Sequence, residues 1–269
     1  MYLDDFEENI TQYCRREEGE QVDDLQCAGL RILQKKGTFR YGTDAVLLAN
    51  YAAGAIKSSV RLLKRLRSPG KTESTGAVRV VDVGTGTGII PVLMYGKLNA
   101  EEGIDPEGAN YTAVEIQAEM CDLARRSVSL NGIGSVVTVV NADICDGCLK
   151  AGAYDIVTMN PPYVRAGSGI VSDLSGIAGA RHEIARTQEE MIRAACTLLV
   201  PGGYIFMVNR PDRLTDALCA LRNAGCEAGE ITFVHANIEK PPVMFLLTAR
   251  KGGGKGLRVT APTVIGENN

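Results

Sequence analysis

From about residue 78 onward, apolar runs of strand length alternate with segments of helical spacing. The runs predict strands at 78–83, 111–115, 136–141, 154–159, 203–208, 230–236 and 243–249. The intervening segments predict helices at 88–98, 117–131, 185–199 and 211–224. This order implies a Rossmann-like α/β fold, a mostly parallel seven-stranded sheet with helices on both faces. The last two strands have no helix between them, so we expect an antiparallel edge strand.

The residues before this alternating region predict an extension rather than a second core. Leu30–Gln34 has the pattern of a short strand, and a helix begins with Thr43 or Asp44 as its N-cap and continues toward Leu66. Residues 99–110 have the composition of a surface insertion. We therefore predict three regions: an acidic arm at 1–28, an extension of strand, helix and basic loop at 29–76, and an α/β domain at 77–269.

The charge is unevenly distributed along the chain. Residues 1–28 contain nine acidic and two basic residues, a net charge of −7, so the remainder carries +4 within a total of −3. Basic residues form one group at Lys57, Arg61, Lys64, Arg65, Arg67 and Lys71, and a looser group at Lys240, Arg250, Lys251, Lys255 and Arg258. Each group alone is typical of a solvated face, and together they favour a polyanionic partner.

Several classes of protein do not fit this composition. No run of 18 apolar residues is present, so we expect no membrane span, and the acidic start lacks a signal-peptide pattern, which favours the cytoplasm. Eight cysteines in 269 residues do not form a disulfide framework. Cys145 and Cys148 form a Cys-x-x-Cys without a second pair, and with only two histidines available we interpret it as a loop and expect no metal site.

A glycine-rich turn follows the first strand of the α/β region. Asp82 lies in that strand just before the glycines, and Gly84, Gly86 and Gly88 follow at alternate positions before a helix. The spacing is typical of a nucleotide-binding turn, although a purely structural turn or a site for NAD has the same pattern. A carboxylate at Asp82 disfavours a pyrophosphate and favours the ammonium group of S-adenosylmethionine.

Acids also end or follow the next two strands. Glu115 is placed to accept hydrogen bonds from a ribose diol, and Ile116 follows it. Asp143 and Ile144 follow the third strand and suit an adenine ring, the carboxylate binding its amine and the apolar side chain its face. A simple turn is the alternative for this last pair. Because ligands bind beyond the carboxyl ends of parallel strands, we expect all of these residues to share one edge of the sheet.

Asn160, Pro161, Pro162 and Tyr163 follow the strand at 154–159. Two consecutive prolines cannot continue a sheet, so the chain leaves the strand in a restricted, extended conformation. The turn presents an amide, a carbonyl and an aromatic ring together. This set suits a planar amine, whose two N–H bonds need two acceptors.

The Asp82 to Gly88 turn, Glu115, Asp143 and the Asn160 to Tyr163 turn together resemble the class I S-adenosylmethionine-dependent methyltransferases of the amino-methylating branch. The stretch from Leu30 to Ala49 and the ending from Met244 resemble the bacterial tRNA(Val) adenine-37 N6-methyltransferase family. With these stretches the similarity covers about residues 23–265. The acidic arm, residues 57–75 and residues 99–110 are less similar to this family.

The resemblance implies S-adenosylmethionine as cofactor, tRNA as partner and methylation of the adenine N6 amine. Asn160 and the carbonyl of Pro161 would accept the amine protons, and Tyr163, next to Pro162, would stack on the base. Asp44 would belong to a lid over the methionine part of the cofactor, although a helix cap explains it equally well. Arg181 and His182 would lie on a substrate-facing loop, without a proton-transfer role, or on a polar loop of no function.

Other activities share parts of this pattern. The acceptor could be a release-factor glutamine, the N2 amine of an rRNA guanine, or an adenine in DNA. Enzymes that act on glutamine carry a separate helical N-terminal domain, and those that act on DNA add a recognition domain. Neither of these additional domains fits the chain well. A cofactor-binding RNA module without turnover is the alternative from another class, and the intact Asp82, Asn160 and Tyr163 disfavour it.

Overall fold

The computed structural model describes residues 17–37, 40–67, 76–105, 107–161 and 186–266. The chain divides into two compact units, residues 1–143 and residues 144–269. The domain boundaries expected from composition and charge stay a prediction.

The first unit contains five strands and four helices among its described residues. The strands are β1 (Glu20–Asp24), β2 (Arg31–Lys35), β3 (Val78–Val83), β4 (Ala109–Glu115) and β5 (Val137–Asn141). The helices are α1 (Thr43–Ser58), α2 (Val60–Arg67), α3 (Ile89–Asn99) and α4 (Ala118–Leu130).

The second unit contains six strands, two helices and two short 3-10 turns among its described residues. The strands are β6 (Tyr154–Met159), β7 (Leu199–Asn209), β8 (Cys226–His235), β9 (Met244–Lys251), β10 (Arg258–Val259) and β11 (Thr263–Val264). The helices are α5 (Gln188–Leu198) and α6 (Leu214–Asn223), and the 3-10 turns are Ile144–Asp146 and Pro211–Arg213.

Three parallel strands form the centre of the first unit, in the order β3, β4, β5. Their register aligns Val83 with Val114, and Glu115 with Asn141, so the three strands end at nearly the same level. Five of the six side chains of β3 are buried. Four of the six residues are valine, and near-complete burial is typical of a parallel strand that is covered on both faces, which is why the pattern predicted this strand accurately.

An antiparallel ribbon of β1 and β2 packs on α4 in the same unit. Ser127 Oγ accepts a hydrogen bond from the backbone N–H of Leu33 at 3.0 Å, and Asn131 bonds both backbone groups of Arg31. The Glu20 carboxylate, which is 1% exposed, accepts hydrogen bonds from two nitrogens of Arg126 at 2.5 and 2.8 Å. Strand β1 was not predicted, because its acidic residues have the composition of a solvated arm.

In the second unit, β6 and β7 are parallel, and β9 runs antiparallel to both β7 and β8. The antiparallel strand that the sequence predicts is therefore β9, and it lies between β7 and β8. Two short strands, β10 and β11, pair with β8 and were not predicted. Helix α5 packs on β6 and β7, and α6 packs on β8.

The start and the length of α1 differ from the prediction. The N-cap is Gly42, not Thr43 or Asp44, and no side chain caps this helix. The Asp44 carboxylate lies over Gly42, where an added Cβ would be 2.7 Å from Oδ1. The helix ends at Ser58, because Ser59 has extended ψ (107°), and α2 begins at Val60 instead of continuing α1 toward Leu66.

Residues 99–110 are not wholly an insertion, since Asn99 ends α3 and Ala109 begins β4. No helix in the described part of the chain is long and apolar enough to cross a membrane.

The ion pair between Glu20 and Arg126 gives a prediction about stability. Arg126→Met leaves a buried carboxylate without its partner, so we expect the free energy of unfolding to fall by about 3 kcal/mol at pH 7. The double variant Glu20→Gln/Arg126→Met should lose less free energy of unfolding than Arg126→Met alone. Asp122→Ala, which removes an exposed partner of Arg126, should cost less than about 1 kcal/mol. Urea titration measures all three.

The pH dependence of the same variants has a defined sign. Hydrogen bonds from Arg126 lower the pKa of Glu20. The stabilisation is therefore complete above the pKa of an unfolded glutamate, about 4.3, and is lost as the pH falls through the lower pKa of the folded protein. Wild type and Arg126→Met should converge in stability over that acidic range. A constant difference down to low pH would contradict the assignment.

Candidate active site

The glycine-rich turn joins β3 to α3 in the first unit. Gly84, Gly86 and Gly88 have φ values of 72°, 59° and 85°, a left-handed conformation that side chains other than glycine rarely adopt. A Cβ at Gly88 would lie 3.4 Å from Cβ of Ala124, whereas a Cβ at Gly84 would meet no atom within 4 Å. Gly88 therefore permits close packing on α4, and Gly84 faces open space.

The Glu115 side chain holds this turn in place. Its Oε2 accepts a hydrogen bond from the N–H of Gly86 at 2.9 Å, and its Oε1 accepts one from the N–H of Gln117 at 2.9 Å. The carboxylate is 6% exposed. Each oxygen keeps a second lone pair for a ligand, so Glu115 both supports the turn and can bind a hydroxyl.

The end of β5 is tied to the end of β4. Asn141 donates to the backbone oxygens of Glu115 and Ile116, both at 2.9 Å, and the N–H of Ala142 donates to the oxygen of Glu115 at 3.0 Å. The residue after Ala142 is Asp143, which is partly exposed. Ile116 is 42% exposed although it is a large apolar residue. An exposed apolar side chain beside two acids suits a flat ring with polar edges.

Two further acids of the first unit are buried. Asp82 is 1% exposed near the end of β3, and Asp44 is 9% exposed in the first turn of α1. A buried carboxylate favours a cationic partner. Asp82 lies two residues before Gly84, so it meets the expectation for an acid next to the turn.

Thr85 is a candidate that sequence reasoning missed. It is 3% exposed, its N–H bonds the oxygen of Val114 at 3.0 Å, and its hydroxyl has no hydrogen-bond partner among the described residues. A buried hydroxyl without a partner is costly in the protein alone, so such groups are informative about ligands. A hydroxyl within a glycine-rich turn was visible in the sequence, but its burial was not.

In the second unit, Asn160 and Pro161 follow β6, in which Asp155 to Met159 are all buried. Asn160 is partly exposed and Pro161 is buried. The apolar strand thus ends where the first proline removes the N–H that a ladder would need. Ile144 is 8% exposed and begins a 3-10 turn of the same unit.

Four predicted substrate residues lie outside the described residues: Pro162, Tyr163, Arg181 and His182. Their roles stay predictions. Among the residues that the structure does describe, it brings the Gly84 to Gly88 turn, Glu115, Ile116 and the Asn141 to Asp143 segment together in the first unit.

Comparison with known proteins identifies the family. The sequence model of the methyltransferase small domain family matches residues 52–218, more than half of the chain. The chain belongs to this family. A methyltransferase small domain is consistent with a glycine-rich turn supported by an acid from the next strand. The family resemblance that the motifs predicted is confirmed.

Two relatives that the chain matches are both named tRNA1(Val) (adenine(37)-N6)-methyltransferase. The protein from Phocaeicola vulgatus is 26% identical over 80% of this chain and 79% of its own length. The protein from Tolumonas auensis is 26% identical over 72% of this chain and 68% of its own length.

The solved structures show the fold. A putative class I S-adenosylmethionine-dependent methyltransferase from Listeria monocytogenes has a TM-score of 0.58, with 13% identity, over 87% of this chain and 69% of that one. The predicted class I fold is therefore confirmed. The family match shows a methyltransferase, for which S-adenosylmethionine is the cofactor.

The residues of the first unit fit this cofactor. The open side of Gly84 leaves room for a ligand where any side chain would intrude. Helix α3 has Gly88 as its N-cap and no side-chain cap, so the N–H groups of Ile89 and Ile90 are not used by a cap, and a helix start of this kind favours an anionic group such as a carboxylate. Glu115 retains acceptors for hydroxyl groups, and the Thr85 hydroxyl is unpaired among the described residues.

Thr85→Val tests whether that hydroxyl serves a ligand. We expect the free energy of unfolding without cofactor to stay the same or rise, because the change removes an unsatisfied polar group of nearly equal volume. The affinity for S-adenosylmethionine should fall about 3- to 10-fold, the effect of one neutral hydrogen bond. Calorimetric titration measures it, with Thr197→Val on α5 as a control, since that exposed hydroxyl bonds the oxygen of Ala194. Equal affinity of Thr85→Val and wild type would exclude the contact.

Proposed function

We propose that the protein transfers a methyl group from S-adenosylmethionine to the N6 amine of an adenine in tRNA. The observation that carries this proposal is the Asn160–Pro161 turn directly after the buried strand β6, where an amide and a carbonyl leave the sheet together. The names of the two relatives above support tRNA as the substrate class. Adenine 37 of tRNA(Val) is the position that those names give.

On the cofactor side, the chain supplies positioning and charge. Glu115 and the Gly84 to Gly88 turn would bind the ribose and the amino-acid part, while Asp82 would bind the ammonium group. Ile116, Asp143 and Ile144 would enclose the adenine ring, and Asp44 would cover the methionine part. The bound cofactor supplies an electrophilic methyl group on a sulfonium.

On the acceptor side, Asn160 and Pro161 increase the reactivity of a weak nucleophile. The lone pair of an adenine amine is delocalised into the ring, so nitrogen must become pyramidal before it attacks. Asn160 Oδ1 and the Pro161 carbonyl would each accept one N–H bond of that amine. These bonds strengthen as positive charge develops on nitrogen, so they stabilise the transition state more than the bound substrate. The reaction requires neither a metal nor a covalent enzyme intermediate.

A stacked base cannot enter such a site. The target must be unstacked, which is least costly in a single-stranded loop such as an anticodon loop. Tyr163 would then stack on the free base, a contact of about 1–3 kcal/mol. Pro162, Arg181 and His182 would contribute to the same substrate surface.

The two groups of basic residues do not support contact with tRNA phosphates equally. Several are engaged within the protein: Lys57 pairs with Glu101 at 2.7 Å, Arg65 donates to the backbone of Gly76 and Ala77, and Arg258 pairs with Glu230. Arg250 lies over the Tyr204 ring, with Cζ 5.6 Å from the centroid. Helix α2 has no acid in its first turn, and its last turn carries Lys64 and Arg67 in addition to the engaged Arg65. It is therefore the stronger candidate for contact with phosphates.

Asn160→Ala tests the division of roles. We expect kcat to fall about 100- to 1000-fold, because one donor–acceptor pair at the transition state is lost. Calorimetric affinity for S-adenosylmethionine should stay close to that of wild type. Asn223→Ala, at the exposed end of α6, is the matched control and should be fully active. Equal loss of cofactor affinity in Asn160→Ala would contradict the assignment of Asn160 to the acceptor.

The acceptor itself is identified with labelled S-adenosylmethionine and bulk tRNA that lacks the modification. Digestion to nucleosides should place the label in N6-methyladenosine. Label in protein glutamine, in rRNA guanosine or in DNA adenine would select one of the alternatives instead. Cofactor binding without any transfer would select the non-catalytic RNA module.

A further inference from the structure

The second unit contains one buried side-chain nitrogen that bonds no other described residue. Nε2 of Gln188 is buried and has no hydrogen-bond partner among the described residues. Gln188 is the first residue of α5, but it does not cap that helix. Thr187 and Glu190 form a capping box, in which Thr187 Oγ1 accepts from the N–H of Glu190 at 3.2 Å and Glu190 Oε2 accepts from the N–H of Thr187 at 2.8 Å. The helix end is therefore satisfied, and the Gln188 amide has another role.

Asn209 determines which atom of Gln188 is unpaired. The N–H of Arg210 donates to Oδ1 of Asn209 at 2.8 Å, which orients the Asn209 amide. Its Nδ2 consequently donates to Oε1 of Gln188 at 3.2 Å. Rotating either amide by 180° would set donor against donor. Nε2 of Gln188 is therefore the unpaired group, and it is a donor that requires an acceptor.

The pair of Gln188 and Asn209 lies at the edge where β6 ends. Strands β6 and β7 are parallel, and Met159 is aligned with Met207. Strand β6 ends at Met159, and β7 continues from Met207 to Asn209, so Asn209 lies at the end of the sheet from which the Asn160–Pro161 turn leaves. Asn209 is 2% exposed, and α5 packs on both strands. The unpaired donor thus belongs to the same end of the sheet as the Asn160–Pro161 turn.

We propose that Gln188 recognises the target base by donating a hydrogen bond to a ring nitrogen that flanks its amine, with Asn209 as its positioning residue. This inference rests on the proposed function, since the turn at that end of the sheet must hold a base. Adenine has acceptors on both sides of its amine, N1 and N7, so a donor here suits adenine in either orientation. Guanine has an N1–H next to its N2 amine and would oppose the donor in one orientation.

Gln188→Met is the informative variant, because it keeps the length of the side chain and removes the donor. We expect kcat/KM on tRNA to fall about 10-fold, while affinity for S-adenosylmethionine is unchanged. Stability should change little, since the variant removes the unsatisfied Nε2 but leaves the buried Nδ2 of Asn209 without its acceptor. The control is Glu189→Gln, at the next, exposed position of α5, which should leave kcat/KM unchanged.

Modified tRNA gives the readout that a structural role would not change. Wild type is assayed on tRNA with adenosine, 1-deazaadenosine or 7-deazaadenosine at the methylated position. With wild type, kcat/KM on one of the two deaza substrates should be about 10-fold lower than on adenosine. With Gln188→Met, the same substrate should show no further loss of kcat/KM relative to adenosine. The substrate that behaves in this way identifies the ring nitrogen that is bound. Asn209→Leu should reproduce the loss of Gln188→Met on adenosine.

Two outcomes would overturn the inference and leave the proposed function intact. One is equal kcat/KM of wild type and Gln188→Met on adenosine. The other is a loss in Gln188→Met that is the same for all three substrates, which would indicate a structural role. A wild-type protein that forms no N6-methyladenosine in tRNA would instead overturn the proposed function, together with the inference that rests on it.

Discussion

The hydrogen bonds that Glu115 accepts are the interactions on which the first unit depends. The two carboxylate oxygens of Glu115 accept the N–H groups of Gly86 and Gln117, and its backbone oxygen accepts from Asn141 and Ala142. One residue thus joins the ends of β3, β4 and β5. Hydrogen bonds to a charged group contribute about 1.5–3 kcal/mol each, so this residue can hold a left-handed glycine turn that has little intrinsic preference for one shape. A ligand that binds Glu115 would find the turn already in position.

The second unit shows the same relation between strand ends and polar groups. Asn160 follows the last residue of β6 and Asn209 is the last residue of β7, so an amide stands at the end of each strand. Amides offer a donor and an acceptor without the desolvation cost of a charge, which suits recognition of a neutral planar base. The first unit places the carboxylates of Asp82 and Glu115 near the ends of β3 and β4, as a cationic cofactor requires, and an amide, Asn141, at the end of β5.

The central strands were predictable because each satisfies its own local pattern. Predicted 78–83 and 154–159 coincide with β3 and β6, and the glycine turn was identified from spacing alone. The break at Ser59 was missed, since residues on both sides of it favour a helix. Strand β1 was missed because its acids lie against Arg126, Gln34 and Arg40, residues that are distant in sequence.

The sequence by itself determined the order of strands and helices, the family and the candidate residues Asp82, Glu115 and Asn160. These depend on short-range periodicity, on turns that only glycine and proline allow, and on chemistry that each residue carries with it. Only the tertiary structure decided that Glu115 supports the Gly86 turn and that Thr85 Oγ1 and Gln188 Nε2 are buried without a partner among the described residues. Whether a polar group is satisfied depends on residues that folding brings beside it, and no local pattern in the sequence records them.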